Sequence, residues 1–426
     1  MIKGLRLKLT QVSLILLVMG VHSPDNAAIA NHAESNLAVI NIPTASGLSL
    51  ADVLEATYQR NPSREVLKAR LDEAAAIRRQ ANALLADDAA LQVRHNTGQV
   101  GNVENLREWE WGVELPVWLP GQRDARRQVA ENRTQSVTAS KHALQLAIAG
   151  QLRDLLWTIR ANSNQALLNH KAWQTARDLE QDVNRRVEAG ELAHLDRVLA
   201  RQETLDRQEA YLNARATLKQ NFSRYRILTG LETIPAQFRE QQANNQTVDQ
   251  NHPGLADAMA SVETKRAKRK QVEIERRDNP TVMVGTRHER PAAIGNKYEN
   301  TIGVTVNIPL GLPAQAAPRI AAAESSLAQS QTERDLLKRE LDISLQKAKD
   351  RLAATGEALE LAQKQAQLAR ENLALTRRSF DLGETNLFDL LRVQAKAFRT
   401  ELNLRQRKIE LQANIAQYNQ AVGVIP

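Results

Sequence analysis

The chain has 426 residues, with 57 Lys and Arg against 49 Asp and Glu, a formal charge of +8. It contains no cysteine, which excludes disulfides, thiolate metal sites and lipid attachment through a cysteine. Acids and bases alternate finely, as in Arg334-Asp335 and Lys349-Asp350-Arg351, and no aromatic residues interleave with the basic ones. The positive balance therefore reads as solvated helix faces, not as a nucleic-acid surface.

Residues 1–30 read as a secretory signal peptide. Lys3, Arg6 and Lys8 precede an apolar run from Val12 to Val21, and Ala28-Ile29-Ala30 supplies small residues at the spacing of a cleavage site. The competing reading, a membrane anchor, requires a longer apolar run. Residues 31–47 form an N-terminal leader. No later segment is long and apolar enough for a transmembrane helix.

A first unit, 48–231, opens with a helix over Leu50–Leu85. Ser49 is its cap, and Pro62 marks a kink or restart after Asn61. Two strands follow, 89–96 and 107–116, around a polar loop at Asn96–Leu106. Trp109, Trp111, Val113 and Leu115 alternate with Glu108, Glu110, Gly112 and Glu114, the period-two pattern of a strand with one apolar and one polar face. This pattern suits a barrel with lipid outside and water inside; the competing reading is a soluble β-hairpin packed on helices. Between Pro120 and Pro235 there is no proline. Proline costs a helix interior about 3 kcal/mol, so this Ala-, Leu-, Gln- and Arg-rich block is predicted to be helical. Gly190 breaks it into a hairpin spanning 121–230. Its first arm, from about Gln122 to Ala189, is roughly 100 Å long at 1.5 Å per residue. Apolar residues at Leu144, Ile148, Leu155, Ile159, Ala166, Trp173, Ala176, Val183 and Val187 suggest a noisy coiled-coil seam.

Residues 232–251, polar and rich in Gln and Asn, read as a linker. The second unit, 252–426, repeats the plan: a helix over Pro253–Arg277, strands at 280–288 and 299–308 around the loop Glu289–Glu299, and a hairpin over 314–423 broken at Gly383. Ile302, Val304, Val306 and Ile308 alternate with Thr301, Gly303, Thr305 and Asn307. In its first arm Leu341, Leu345, Ala348, Leu352, Thr355, Leu359, Ala362, Ala366, Ala369, Leu373, Thr376 and Phe380 step by four and three, a sustained heptad. A stripe on the return arm, Leu391, Ala395, Phe398, Leu402, Ile409, Ala413 and Ala416, faces either the first arm or a neighbouring hairpin.

The two units are copies at a constant offset. Arg185, Gly190, Glu191, Asp196, Asn221, Tyr225 and Gly230 recur as Arg378, Gly383, Glu384, Asp389, Asn414, Tyr418 and Gly423, each 193 residues later (383 − 190). Together these features define a mainly α, internally duplicated chain with long coiled-coil hairpins and a β portion of four strands.

Helix, two strands and long hairpin, repeated behind a signal peptide, resembles the TolC-like outer membrane efflux protein family over about Leu48 to Gly423. The most specific matches are the R-x4-G-E turns at Arg185–Glu191 and Arg378–Glu384, the helix starts at Asp196 and Asp389, and Gly303–Leu310 at a strand end. The resemblance implies a homotrimer whose protomers each donate four strands to a twelve-stranded outer-membrane β-barrel. It also implies a periplasmic α-barrel tunnel made of the helices. The implied partners are a periplasmic adaptor (membrane fusion) protein, a proton-driven inner-membrane efflux pump and outer-membrane lipid. The implied function is a passive exit duct, not an enzyme. The short outer loops and absent lipid-bearing cysteine suggest the heavy-metal branch, with heavy-metal cations as cargo. An outlet for drugs or type I secretion, and a periplasmic coiled-coil scaffold without a barrel, are the alternatives.

No nucleophile, acid–base pair, phosphate loop or metal motif stands out, so no catalytic, cofactor or metal residue is assigned. Asp87-Asp88 reads as a helix-end turn. His95 and His288 occupy equivalent positions but share faces with Val93 and Val284, the lipid side, which argues against a lumen metal ring. The lipid-facing set is Trp109, Trp111, Val113, Ile302, Val304 and Val306. The resemblance assigns Gly190, Glu191, Gly383 and Glu384 to adaptor contact. It also makes Asp196, Asp389 and Arg392 a candidate periplasmic gate. In that family two acids three residues apart form a cation-sensitive ring; Asp389 matches the first, and Arg392 stands at the second. An Asp389–Arg392 or intersubunit ion pair is the expected substitute.

Overall fold

The computed structural model describes residues 41–98, 107–290 and 297–426. The expected signal segment, most of the expected leader and the tips of both strand loops lie outside the described residues.

Seven helices and six strands occur among the described residues: β1 (Thr44–Ala45), α1 (Leu50–Arg60), α2 (Ser63–Asn82), β2 (Ala90–Thr97), β3 (Arg107–Pro116), α3 (Gln122–Glu188), α4 (His194–Thr229), β4 (Ile234–Pro235), α5 (Pro253–Ile274), β5 (Thr281–Arg290), β6 (Glu299–Asn307), α6 (Pro313–Asp381) and α7 (Leu387–Ala421). Helix α1 starts on a capping box: the Asp52 amide donates to Ser49 Oγ at 3.1 Å, and the Ser49 amide donates to Asp52 Oδ2 at 2.9 Å. Pro62 separates α1 from α2, and the Ser63 amide donates to Asn61 Oδ1 at 2.9 Å as the second helix begins. Helix α6 starts at Pro313, where proline's missing N–H is harmless, and carries Pro318 in its second turn.

The helices α3 (67 residues) and α6 (69 residues) are the long members. Near its start α3 meets α2, where Arg133 pairs with Glu73 at 2.7 Å. Further along it meets α4, where Asn169 donates to the Ala210 carbonyl at 3.0 Å. Its other side is held by α5, where Ser140 donates to Asp257 at 2.6 Å, and by α7. Helix α6 repeats the plan against α5 and α7, where Asn414 donates to Thr355 Oγ1 at 2.8 Å. The α6 heptad positions are buried or half-buried throughout. The α3 seam is noisy because this helix contacts α1, α2, α4, α5 and α7 and needs apolar residues on several sides. On α7 the residues turned into the core are Leu390, Ala397 and Leu404. The stripe Leu391, Ala395, Phe398 and Leu402 is left half-buried beside them.

The four-stranded sheet has the order β2-β3-β5-β6 and is antiparallel throughout. Its central pairing, β3 with β5, joins the two units. Gly112, Gly285 and Gly303 stand in register across three strands. A Cβ at Gly285 would lie 2.6 Å from the Trp111 carbonyl oxygen, so the close approach of β3 and β5 requires glycine there.

The stretch 232–251 has the composition of a loose linker, but the structure builds it into the core. Strand β4 pairs in parallel with β1, Phe238 and Val248 are buried, and the Tyr418 hydroxyl donates to the Asn245 carbonyl at 2.5 Å. The organising group is Arg153 of α3, 2% exposed. Its guanidinium donates to both Glu240 carboxylate oxygens at 2.9 and 2.6 Å, to Gln420 Oε1 at 2.6 Å and to the Val424 carbonyl at 3.0 Å. This bidentate geometry and full set of acceptors offset the desolvation of the charge. Asn419 extends the network to Glu240, the Gln241 carbonyl and the Ala243 amide.

His252 ends this segment as the cap of α5. Its Nδ1 accepts from the Gly254 amide at 3.2 Å, so the neutral ring carries its proton on Nε2. Burial holds its pKa below the ordinary 6.5. The unfolded chain therefore takes up a proton on acidification before the native one does. The stabilisation from neutral His252 is complete above pH 6.5 and is lost as pH falls through the lowered native value. His252→Asn keeps the cap and removes the titration, so its melting temperature should fall less in mild acid than that of the wild type; an identical acid limb would contradict this. Arg153→Ala leaves Glu240 without its counter-ion and should cost about 3–5 kcal/mol. Thermal melting and protease cutting within 236–250 would report it. Arg153→Met with Glu240→Met should recover much of the loss.

Candidate functional site

Two regions concentrate exposed groups that the fold does not use: the faces of the β-sheet and the free ends of the helical hairpins.

Residues opposite each other in an antiparallel ladder share a face, so the register sorts the sheet completely. One face carries Leu91, Val113, Val284 and Val304 in one row, and Val93, Trp111, Thr286 and Ile302 in the next. Trp109 and Val306 lie on the same face. Its residues are open to the surroundings: Ile302 is 84% and Val304 66% exposed. Among the described residues no element covers this face, and a contiguous apolar surface of this kind marks a contact with lipid or protein. His95, Trp109, His288 and Asn300 make the following row; His95 stacks on Trp109 with ring centres 4.0 Å apart.

The opposite face is polar. Arg94 pairs with Glu110 at 3.3 Å and Arg287 with Glu108 at 2.8 Å. Five carboxylates (Glu108, Glu110, Glu114, Glu289 and Glu299) face two guanidiniums (Arg94 and Arg287), a net charge of −3 (2 − 5). Among the described residues the outer strands β2 and β6 each have one edge unpaired.

At the other end, the turns after α3 and α6 have the same build. Gly190 and Gly383 take φ of +80° and +75°, and the Glu191 and Glu384 amides reach back to the Arg186 and Ser379 carbonyls at 2.8 and 2.9 Å. That left-handed residue followed by a long return bond is the helix stop that glycine favours. The two turns sit together. Val183, Ala200, Phe380, Leu387 and Leu390 form one cluster drawn from all four hairpin arms. Arg186 lies 5.3 Å over the Phe380 ring and pairs with Asp182 at 3.1 Å and Asp381 at 3.7 Å, tying one hairpin to the other. Sequence reading missed Arg186, since nothing local marks a cation whose partner is on the other repeat. Glu191 and Glu384 are exposed with no ion-pair partner among the described residues. Leu195, Leu382 and Phe388 beside them are largely exposed.

The gate candidates lie just past the turns. Asp196 caps α4 by accepting from the Ala193 amide at 3.1 Å. Asp389 pairs with Arg392 at 2.9 Å on the same helix, and both are at least partly exposed. Further up the hairpin Glu401 links α7 to α6. Burial raises its pKa, but hydrogen bonds and charge from Arg370 and Arg405 outweigh burial and hold the carboxyl below its usual value. Among the described residues no three His, Asp or Glu converge on a metal position, and no helix is long and apolar enough to cross a membrane.

Solved structures share this architecture. The Campylobacter jejuni CmeC outer membrane channel matches at a TM-score of 0.70 with 12% identity, over 96% of this chain and 94% of that one. The outer membrane protein VceC from Vibrio cholerae matches at 0.68 with 14% identity, over 88% and 96%. The open-state MtrE outer membrane channel of Neisseria gonorrhoeae matches at 0.67 with 15% identity, over 88% of each chain. The chain has the TolC-like fold. No family model and no curated relative matches the sequence.

Replacing Gly190 and Gly383 with Val should strain each turn by roughly 1–2 kcal/mol. Hydrogen exchange should accelerate at 186–192 and 379–386 and remain unchanged in the middle of α3. Acceleration along the whole hairpin would show that the turns hold more than the tip.

Proposed function

We propose that this chain is the outer-membrane exit duct of a tripartite efflux system and performs no covalent chemistry. The observation that carries the reading is the sheet, with one largely exposed apolar face, one polar face and, among the described residues, two open edges. Four strands cannot close a barrel by themselves. Three copies, β6 of one against β2 of the next, give a closed wall with lipid outside and water inside. Strands of eight to ten residues match the length a tilted strand needs to cross a bilayer.

The helices support the same assembly. Contacts run from α4 to α3, from α3 to α7 and from α7 to α6, so α4 and α6 form the two edges. Exposed Val198, Leu205 and Leu212 recur every seven residues on α4, and exposed Leu361, Leu368 and Leu375 do so on α6. Counted from the turns, the two sets lie at matching heights. An α4 edge packed on the α6 edge of the next copy forms an antiparallel seam and continues the ring. The tips then project away from the membrane. Glu191, Glu384, Leu195, Leu382 and Phe388 meet a periplasmic adaptor there, and a proton-driven inner-membrane pump supplies the work. The pair Asp389–Arg392, with Asp196, lines the periplasmic entrance. The net charge of −3 on each polar sheet face favours cationic cargo, heavy-metal cations among them. The likeness to outer membrane channels of known structure supports this reading.

Leu205→Cys combined with Leu368→Cys tests it. Oxidation in intact cells should yield covalent trimers in the outer-membrane fraction. Monomers in the soluble periplasmic fraction would show a scaffold instead. Val304→Arg places a cation against mid-bilayer lipid at a cost of about 2–4 kcal/mol and should reduce assembled trimer, whereas Glu110→Gln on the polar face should not. Equal behaviour of the two variants would reject the assignment of faces. For the cargo, deletion of the gene should sensitise cells to divalent heavy-metal salts; sensitivity to uncharged drugs alone would remove the cationic cargo and leave the duct.

A further inference from the structure

We propose that the loop end of the apolar sheet face is a docking surface for phosphate-bearing lipid headgroups of the outer leaflet, with Arg107 and Arg290 as the phosphate-binding cations. The inference rests on the barrel reading above and assigns a ligand to one level of its outer wall.

The rows of this face change character in order along the strands. Leu115, Val282 and Val306 belong to the first row, and Leu91, Val113, Val284 and Val304 to the second. Val93, Trp111, Thr286 and Ile302 make the third. Successive rows are about 7 Å apart along a strand. The fourth row, His95, Trp109, His288 and Asn300, is amphipathic. His95 Nδ1 donates to the Glu108 carbonyl at 3.0 Å and His288 Nδ1 to Asn300 Oδ1 at 2.5 Å, which ties each ring to the sheet. His95 stacks on Trp109 and His288 on Tyr298, at 4.0 and 4.5 Å between centres. Flat aromatic rings with polar edges favour the boundary between hydrocarbon and headgroups.

One row further, Arg107 stands directly opposite Arg290. Like charges in a cross-strand pair destabilise a sheet unless an anion bridges them. Arg290 lies over the Tyr298 ring at 6.0 Å, and among the described residues neither guanidinium has a carboxylate within 4.0 Å. The other face of the same strands behaves differently: there Arg94 and Arg287 both find Glu partners. The unpaired cations are thus confined to the face that continues into apolar rows, one step beyond the aromatic belt. A free phosphate matches the guanidiniums but not the belt and apolar rows below them. A phosphorylated lipid matches all three, because its acyl chains cover Val304 and Ile302 while its phosphate reaches the arginine pair. A guanidinium also offers phosphate two parallel donors in a fixed fork.

The test uses the full-length protein. It is mixed with phosphatidylcholine vesicles containing either diphosphoryl lipid A or the same lipid stripped of both phosphates. Flotation reports insertion, and lipid A retained per protein after mild detergent extraction reports binding. The wild type should float with both vesicles and retain the diphosphoryl form about tenfold over the stripped form. Arg107→Gln with Arg290→Gln should float as well as the wild type and lose that preference. Retention of the preference in this variant, or no preference in the wild type, would overturn the docking surface and leave the barrel standing. Full displacement of lipid A by inorganic phosphate at matched ionic strength would overturn the lipid as occupant. A wild type that does not float would remove the barrel reading and this inference together.

Discussion

The constraint on which the structure depends is the mismatch between the sheet's two faces and its two open edges. Every β-strand must satisfy its backbone groups, and every exposed apolar surface must find an apolar neighbour. Among the described residues neither demand is met: β2 and β6 lack an outer partner, and the face of Trp111, Val304 and Ile302 has no cover. In the proposed assembly, closure with further copies would satisfy the edges and bilayer lipid the face, so that a single step would resolve both. Of the glycines in register at 112, 285 and 303, the first two let β3 and β5 approach closely.

In the proposed duct the helices would carry that wall away from the membrane, packed in long pairs. The long members α3 and α6 each make one seam with a returning arm, and side chains such as Leu345, Ala362 and Ala366 fill it. Small residues at these positions keep the helices close, while the outer faces keep their charges in water. Among the described residues the one fully buried cation, Arg153, is placed at the joint between repeats. Arg153 fastens the 232–251 stretch and the C-terminal residues to α3, tying the second repeat to the first at this joint. At the far end Arg186 serves the same purpose between the two tips.

The fold class was legible because its signals are local and periodic. Heptads from Leu341 to Phe380, alternation from Glu108 to Leu115 and a repeat offset that never slips all survive without an alignment. The joints were not legible. Arg153 is one arginine among many in a helix rich in arginine, and its partner Glu240 is 87 residues away. The residues around Glu240 have the composition of a tether, and only tertiary packing makes them part of the core. The pairing of Arg107 with Arg290 likewise depends on β3 meeting β5, a contact that no pattern within either strand announces. The seam of α3 was blurred for the opposite reason, since it answers to several neighbours at once.

Because the chain contains no cysteine, each position of β3 can be probed singly without altering any native thiol. Single cysteines from Glu108 to Leu115, in the full-length protein reconstituted into bilayers, can be reacted with a charged maleimide and, separately, spin-labelled for collision with dissolved oxygen. Alternation with a period of two is predicted: positions 108, 110 and 114 reacting from water, and positions 109, 111, 113 and 115 reporting lipid. Uniform reaction from water along the strand would contradict the account, because it would leave the apolar face without the lipid that the proposed barrel requires.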